Sequence, residues 1–179
     1  KRSSAASDVY KRQVVIDLNW REVFWDYSNF ASDTSKKGRI NLIKKFLNHA
    51  HVIKLAKEEA TLFFEIENPS LISQQMSKRP DVIITDGKNP VSWHINGFQG
   101  NTKIPKSQKI VDTTGAGDAF LAGLISEFIS FGYPKSELEI QACVRFASAC
   151  GLLTCHGEGA IEPQPDYEKV SKFLGSLIS

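Results

Sequence analysis

The segment VDTTGAGDAFLAGL, residues 111–124, places two glycines and an acid directly before a long apolar run. Gly115, Ala116 and Gly117 would present backbone N–H groups at a helix N-terminus, where the helix dipole also favours negative charge. An anion site with a carboxylate beside it suits phosphoryl transfer, in which Asp118 takes the proton of the acceptor hydroxyl. The structural alternative is that Asp118 only stabilises the first helical turn.

Two other phosphate-binding loops do not fit this segment. A P-loop needs a lysine and then Ser or Thr after its second glycine, but Asp118 and Ala119 stand there. A dinucleotide-binding turn needs a third glycine, and Phe120 occupies that place. The residues themselves therefore favour a simple backbone anion hole.

The composition limits the class of protein. The chain has 179 residues, of which 41% are hydrophobic, enough for a sizeable core. Because 22 Lys and Arg balance 20 Asp and Glu, no attraction to nucleic acid or to a membrane surface is expected. These residues contain no apolar run of roughly 18 residues, so neither a signal peptide nor a membrane span is expected among them. The three cysteines form no C-x-x-C pair, which favours a reducing cytoplasm.

The elements around this segment alternate between strands and helices. VVIDLN, HVIKL and DVIITDG are short β-branched runs typical of buried strands, with helices predicted over 35–48, over 57–66 and from Pro69 to 78 or 79. VSWHING and FQGNTKIPK alternate like an antiparallel pair. A helix is predicted over 119–131, and because it is apolar all round we expect it to be buried on all sides. Two further helices are predicted, one over 137–153 and one that Asp166 caps and that ends at residue 177. This order predicts an α/β fold with a mostly parallel sheet.

Several segments together resemble the ribokinase-like (PfkB) family of sugar kinases. DTTGAGD is similar to the C-terminal signature of that family, and DLNWREVFW, IKLAKEEATLF, IITDGKNPVSWHI and RFASACGLLTCHGEGAIEPQP are similar to its fructokinase branch. The resemblance implies a three-layer, Rossmann-like fold and ATP-dependent phosphorylation of a sugar hydroxyl, with fructose the favoured acceptor. The alternatives are another acceptor (ribose, a keto-deoxy sugar acid or a nucleoside) or an inactive nucleotide-binding fragment.

The resemblance also implies a role for individual residues. It makes Asp118 the catalytic base, with the phosphoryl group in the hole formed by Gly115, Ala116 and Gly117. The positions implied beside the nucleotide are Asn19, Arg21, Thr85, Gly87 and Ser148. Glu59 would organise the waters of Mg²⁺, and Asp112 and Thr114 would hold a monovalent cation, K⁺, with carbonyls of residues 157–160. Without the resemblance, Asp112 and Thr114 are more typical of a turn and Glu59 of a partner for the helix dipole, while Thr85 and Gly87 also fit an ordinary turn at a strand end.

The sequence departs from the family pattern in several places. Ala56 stands where the family has Asn, Pro90 replaces the last glycine of T-x-G-x-x-G, and Ser148 stands where fructokinases often have Asn. The family's N-terminal sugar-holding segment has no counterpart here. We therefore expect residues 14–179 to be the C-terminal nucleotide-binding part, truncated on its N-terminal side. Residues 1–13 are polar and have no apolar periodicity, so we expect them to be a disordered or non-native tail. A homodimer is expected only of a full-length protein.

Overall fold

The computed structural model describes residues 13–21, 36–106 and 109–177. Its strands lie in the order β1-β2-β3-β4-β5, and the chain divides into two compact units, Lys1–Ile83 and Ile84–Ser179, with the boundary inside β3. The strands are β1 (Val15–Asp17), β2 (Val52–Ala56), β3 (Asp81–Asp86), β4 (Asn89–Ile95) and β5 (Phe98–Thr102). The helices are α1 (Lys36–Leu47), α2 (Lys57–Phe64), α3 (Pro69–Gln75), α4 (Ala116–Phe131), α5 (Glu137–Thr154) and α6 (Tyr167–Ser176).

The first unit contains the parallel pair β1 and β2, in which Val15 lies opposite Val52. As predicted, β2 is buried, whereas β1 is only half-buried, because it lies at the end of the strand order. Apolar side chains of the strands and helices form the core of this unit: Leu47, Val52, Ile53, Leu55, Ala60, Phe63, Phe64, Ile72, Val82 and Ile83. The predicted cap of α1, Ser35, lies outside the described residues.

Helix α3 is shorter than its pattern predicts. It begins with Pro69 after Asn68, whose side chain accepts a hydrogen bond from Leu71 N–H at 3.1 Å. The prediction placed its end at residue 78 or 79, but Met76 already has an extended backbone and Arg79 has a φ of 46°. The helix therefore ends one turn early, and the remaining residues form the turn into β3.

The second unit begins with the predicted hairpin. β4 and β5 are antiparallel and are joined by Asn96 and Gly97, which have φ values of 49° and 81°. Two central residues with positive φ are what a two-residue type I′ turn requires, and Asn-Gly is its preferred sequence. The prediction of antiparallel strands at this point is confirmed.

Helices α4 and α5 pack closely against each other. A Cβ on Gly123 would lie 2.6 Å from the Cys150 sulfur and 3.2 Å from the Ala147 Cα, so any side chain there would force its neighbours on α5 to shift. Two predictions about α4 are wrong: the helix begins at Ala116, three residues earlier than predicted, and it is not buried on all sides. Ile129 is 79% exposed and Phe131 71% exposed, because the helix buries mainly the face that includes Gly123.

The predicted α/β fold is confirmed, and so are the helix over Glu137–Thr154 and the Asp166 cap, whose side chain accepts from Lys169 N–H at 2.8 Å. Of the predicted tail, residues 1–12 lie outside the described part of the chain. Among the described helices, none combines the length and apolarity that crossing a membrane would require.

Candidate functional site

The turn before α4 needs glycine for two reasons. Gly115 has a φ of 78°, in the left-handed region, and a Cβ there would lie 2.9 Å from backbone and side-chain atoms of Ala160. The loop that contains Ala160 thus lies directly against the start of the helix. The DTTGAG segment and the GEGA segment, 40 residues apart in sequence, form one structure.

The first turn of α4 leaves backbone donors available. Ala116 N–H donates to the Thr113 carbonyl oxygen at 3.2 Å. The N–H groups of Gly115, Gly117 and Asp118 have no acceptor within the described part of the chain. Unpaired donors at the positive end of a 16-residue helix favour an anionic ligand.

Asp112 joins the two segments through its carboxylate. Its Oδ1 accepts from the Thr114 backbone N–H at 2.9 Å and from the Thr114 hydroxyl at 2.7 Å, while Oδ2 accepts from Gly159 N–H at 3.0 Å. The backbone hydrogen bond from Thr114, followed by its hydroxyl and by Gly159, holds the pKa of Asp112 below its ordinary value. Asp112 is therefore an ionised group that fixes the loop.

A cleft of about 1020 Å³ opens beside this turn within the second unit. Five of the predicted site residues line it: Thr85, Gly87, Ala116, Gly117 and Ser148. The other lining residues are Lys88, Val91, Ile104, Pro105, Lys106, Ile110, Thr113, Phe120, Gly151, Leu152 and Cys155. The size suits a nucleotide-sized ligand, and the combination of apolar walls with a few polar groups is typical of small-molecule sites.

Ser148 contributes to the cleft from the middle of α5. It is buried, and its hydroxyl donates to the Val144 carbonyl oxygen at 2.7 Å. Because the proton is used within the helix, the Ser148 oxygen can offer only its lone pairs to a ligand.

Asp118 lies on the first turn of α4 and is exposed. Among the described residues, none donates a hydrogen bond to its carboxylate, and it is not one of the residues that line the cleft. The Asp118 carboxylate therefore lies at the same helix end as the unpaired N–H groups of Gly115 and Gly117.

The remaining predicted residues belong to the first unit, where Glu59 is the best connected. Its two carboxylate oxygens accept from the backbone N–H of Trp20 and from that of Ala56, the latter at 2.7 Å. Burial raises the pKa of Glu59 more than these hydrogen bonds lower it. Glu59 thereby ties the start of α2 to the residues that follow β1.

Asn19 and Arg21 flank the Trp20 backbone that Glu59 holds. Asn19 has a φ of 43°, a conformation that Asn tolerates better than most residues, and Arg21 is exposed. Nearby, Lys54 Nζ pairs with Asp17 at 2.9 Å, and both side chains are nearly buried. The first unit thus holds these residues on an ordered turn.

Sequence reasoning missed several residues of the cleft. Lys88 and Lys106 come from two different loops, and nothing in their local sequence distinguishes them from surface lysines. Gly151 looked like an ordinary helix residue, yet a Cβ there would lie 2.8 Å from the Ala116 carbonyl oxygen. Cys155 also lines the cleft, and burial raises the pKa of its thiol.

Comparison with known proteins gives consistent matches. The family model described as pfkB family carbohydrate kinase matches residues 4–167. The chain is 32% identical over 178 residues to a protein named probable fructokinase-6, chloroplastic, from Arabidopsis thaliana, covering 96% of this chain and 44% of that protein. It is 32% identical over 144 residues to the one named probable fructokinase-7 from the same plant, covering 76% and 41%.

A solved structure shares the fold as well. The crystal structure of fructokinase with bound ATP from Xylella fastidiosa superposes with a TM-score of 0.78 at 25% identity, covering 93% of this chain and 53% of that one. The chain therefore spans about half the length of the relatives it matches.

Proposed function

Because the chain belongs to the pfkB family of carbohydrate kinases, we propose that it serves ATP-dependent phosphorylation of a sugar hydroxyl, with fructose as the favoured acceptor. One observation carries the proposal: residues 85, 87, 116, 117 and 148, chosen from sequence, line one cleft beside unpaired helix amides. The names of two relatives and the ATP of the Xylella fastidiosa fructokinase support fructose and ATP.

In the proposed reaction, the acceptor oxygen attacks the γ-phosphorus of ATP while the bond from that phosphorus to the bridging oxygen breaks. ADP leaves, and the hydroxyl proton passes to the Asp118 carboxylate. The amides of Gly115 and Gly117 stabilise the charge on the phosphoryl oxygens, because they are already oriented by α4 and need no rearrangement.

The proposed cofactors are Mg²⁺ and K⁺. Magnesium, which neutralises phosphate charge, is usually held by substrate phosphates and one or two carboxylates, so it does not need an all-protein cage. No cluster of three or more His, Cys, Asp or Glu occurs in the described ranges, and Glu59 fits the smaller role of holding metal-bound waters. For K⁺, the oxygens of Asp112, Thr114 and the 157–160 loop are hard donors of the right kind.

Asn19 and Arg21 are proposed to contact the phosphates. An Arg guanidinium offers bidentate, charge-assisted hydrogen bonds to phosphate oxygens. Their backbone is fixed by the hydrogen bond from Trp20 N–H to Glu59, so loss of that carboxylate should disturb both side chains.

The test uses Asp118→Asn with Asp166→Asn as a matched control. Both remove one carboxylate from a helix start, but Asn still caps α6, so the control should keep its fold and activity. The assay measures release of ADP from Mg·ATP in potassium buffer with fructose, using a protein that includes a sugar-holding segment. We expect Asp118→Asn to reduce this release about 10²- to 10⁴-fold with nucleotide affinity unchanged. Full activity of Asp118→Asn would refute its role as base.

A second candidate function is nucleotide binding without transfer, which the cleft supports because all of its lining residues belong to the second unit, whereas Asp118 is not among them. It predicts that the protein binds ATP and ADP, and that no acceptor increases the release of ADP from ATP. If ribose, a keto-deoxy sugar acid or a nucleoside increases ADP release and fructose does not, the proposed reaction stands with a different acceptor. A cytoplasmic location and a homodimer of a longer protein stay predictions.

A further inference from the structure

The described residues that line the cleft carry charge of one sign. Among them, only Lys88 and Lys106 are charged, and none has a carboxylate. Lys88 lies in the two-residue turn between β3 and β4, and Lys106 follows β5, so two independent loops bring a cation to the same cavity. Both lysines are exposed at its surface.

The rest of the cleft separates into two kinds of surface. Apolar side chains form the walls (Val91, Ile104, Ile110, Phe120 and Leu152), and the first turn of α4 supplies backbone donors. Such a cavity fits a ligand with an apolar ring and a chain of anionic groups. One helix turn can bind one phosphate through its amides. Two further cations would be redundant unless the ligand carries more than one phosphate.

We propose that Lys88 and Lys106 are specificity-determining residues that make affinity increase with each phosphate of the nucleotide. The inference rests on the proposed function, since it concerns the same cleft. It assigns to these lysines the preference for triphosphate over diphosphate and monophosphate. It gives them no part in binding the nucleoside portion.

The expected contribution of the two lysines to affinity follows from the solvent exposure of their side chains. An exposed charge pair contributes about 1.4- to 5-fold in affinity, so the two lysines together should contribute about 2- to 25-fold. The effect must weaken with salt, because the Debye length falls from about 30 Å at 0.01 M to about 3 Å at 1 M. If either lysine had only a structural role, its substitution would change the affinity for all four ligands equally, and the change would not depend on salt.

The experiment measures dissociation constants of adenosine, AMP, ADP and ATP by calorimetry, with a chelator present and at low and high salt. The test protein is Lys88→Gln/Lys106→Gln, and the control is Lys135→Gln/Lys172→Gln, which removes the same charge from exposed positions outside the cleft. Lys88→Arg/Lys106→Arg keeps both cations and should behave as wild type.

We expect the test variant to lose most of the affinity gained from AMP to ATP at low salt, and to bind adenosine as the wild type does. If the wild-type gain per phosphate persists in the Gln variant, the inference is wrong and the proposed function stands. If adenosine affinity falls as much as ATP affinity, the lysines shape the cleft and do not select phosphates. If the wild-type chain binds no nucleotide, both the inference and the proposed function fail.

Discussion

Gly151→Ala tests whether α5 positions the start of α4. A Cβ at residue 151 would lie 2.8 Å from the carbonyl oxygen of Ala116 and 3.6 Å from the Phe120 Cβ. The nearest atom is backbone, so it cannot rotate away as a flexible side chain would. The added methyl group must push the first turn of α4, where the unpaired amides are, away from α5.

Two opposing effects determine how much Gly151→Ala changes the free energy of unfolding. Within a helix, Ala is favoured over Gly by about 1 kcal/mol, because Gly loses more backbone entropy on folding. Overpacking a close contact costs about 1–3 kcal/mol. We therefore expect Gly151→Ala to lower the free energy of unfolding by about 1 kcal/mol, which corresponds to a melting temperature about 2–4 °C lower.

Gly175→Ala is the matched control. It makes the same change near the end of α6, where no atom lies within 4 Å of the new Cβ. Only the propensity term acts there, so this variant should be more stable than wild type by up to about 1 kcal/mol. Urea unfolding of the three proteins, followed by circular dichroism, gives the comparison, and ATP affinity should fall only in Gly151→Ala. If both variants are stabilised equally, the contact with Ala116 does not constrain α4 and the reasoning is refuted.

Three further substitutions test single contacts, each read out by urea unfolding. Thr102→Val removes the acceptor of the buried Trp93 Nε1–H, 2.9 Å away, and should cost about 1–3 kcal/mol, whereas Thr102→Ser should cost less. Lys54→Met leaves the Asp17 carboxylate buried without its cation and should cost about 3–5 kcal/mol. Burial raises the pKa of Glu127. The contribution of the protonated Glu127 side chain to the free energy of unfolding is therefore fully present below the ordinary pKa of 4.5 and is lost as pH rises through the raised pKa. Glu127→Met should therefore flatten that decline and add about 1 kcal/mol at neutral pH, and an unchanged pH profile would contradict this.

Features encoded by neighbouring residues could be predicted from the sequence. The hairpin between β4 and β5, the start of α3 at Pro69, the Asp166 cap and the buried strands β2 and β3 all depend on local conformational preferences and hydrophobic pattern. The start of α4 could not, because Gly117 has a low helix propensity. Contacts with Gly151 and Ala160, both distant in sequence, lie at the turn where the helix begins.

The site divides in the same way. Asp112 and Thr114 are two residues apart, so their hydrogen bonds belong to a local turn, and the DTTG pattern indicated them. Lys88 and Lys106 line one cleft only because two loops converge, and no local pattern records that. Gly151 and Gly175 both lie within predicted helices. A Cβ on Gly151 would be in close contact with Ala116, whereas a Cβ on Gly175 would meet no atom within 4 Å.

Glu59 shows why a structural and a chemical role need not compete. An ionised carboxylate has about four lone-pair sites, and the backbone N–H groups of Trp20 and Ala56 use two of them. Those two hydrogen bonds fix the rotamer, which is what a carboxylate needs in order to hold metal-bound water in one place. The helix-capping contact expected of any Glu in a first turn therefore also supplies the rigidity that the proposed magnesium role requires, and the remaining lone pairs stay available for it.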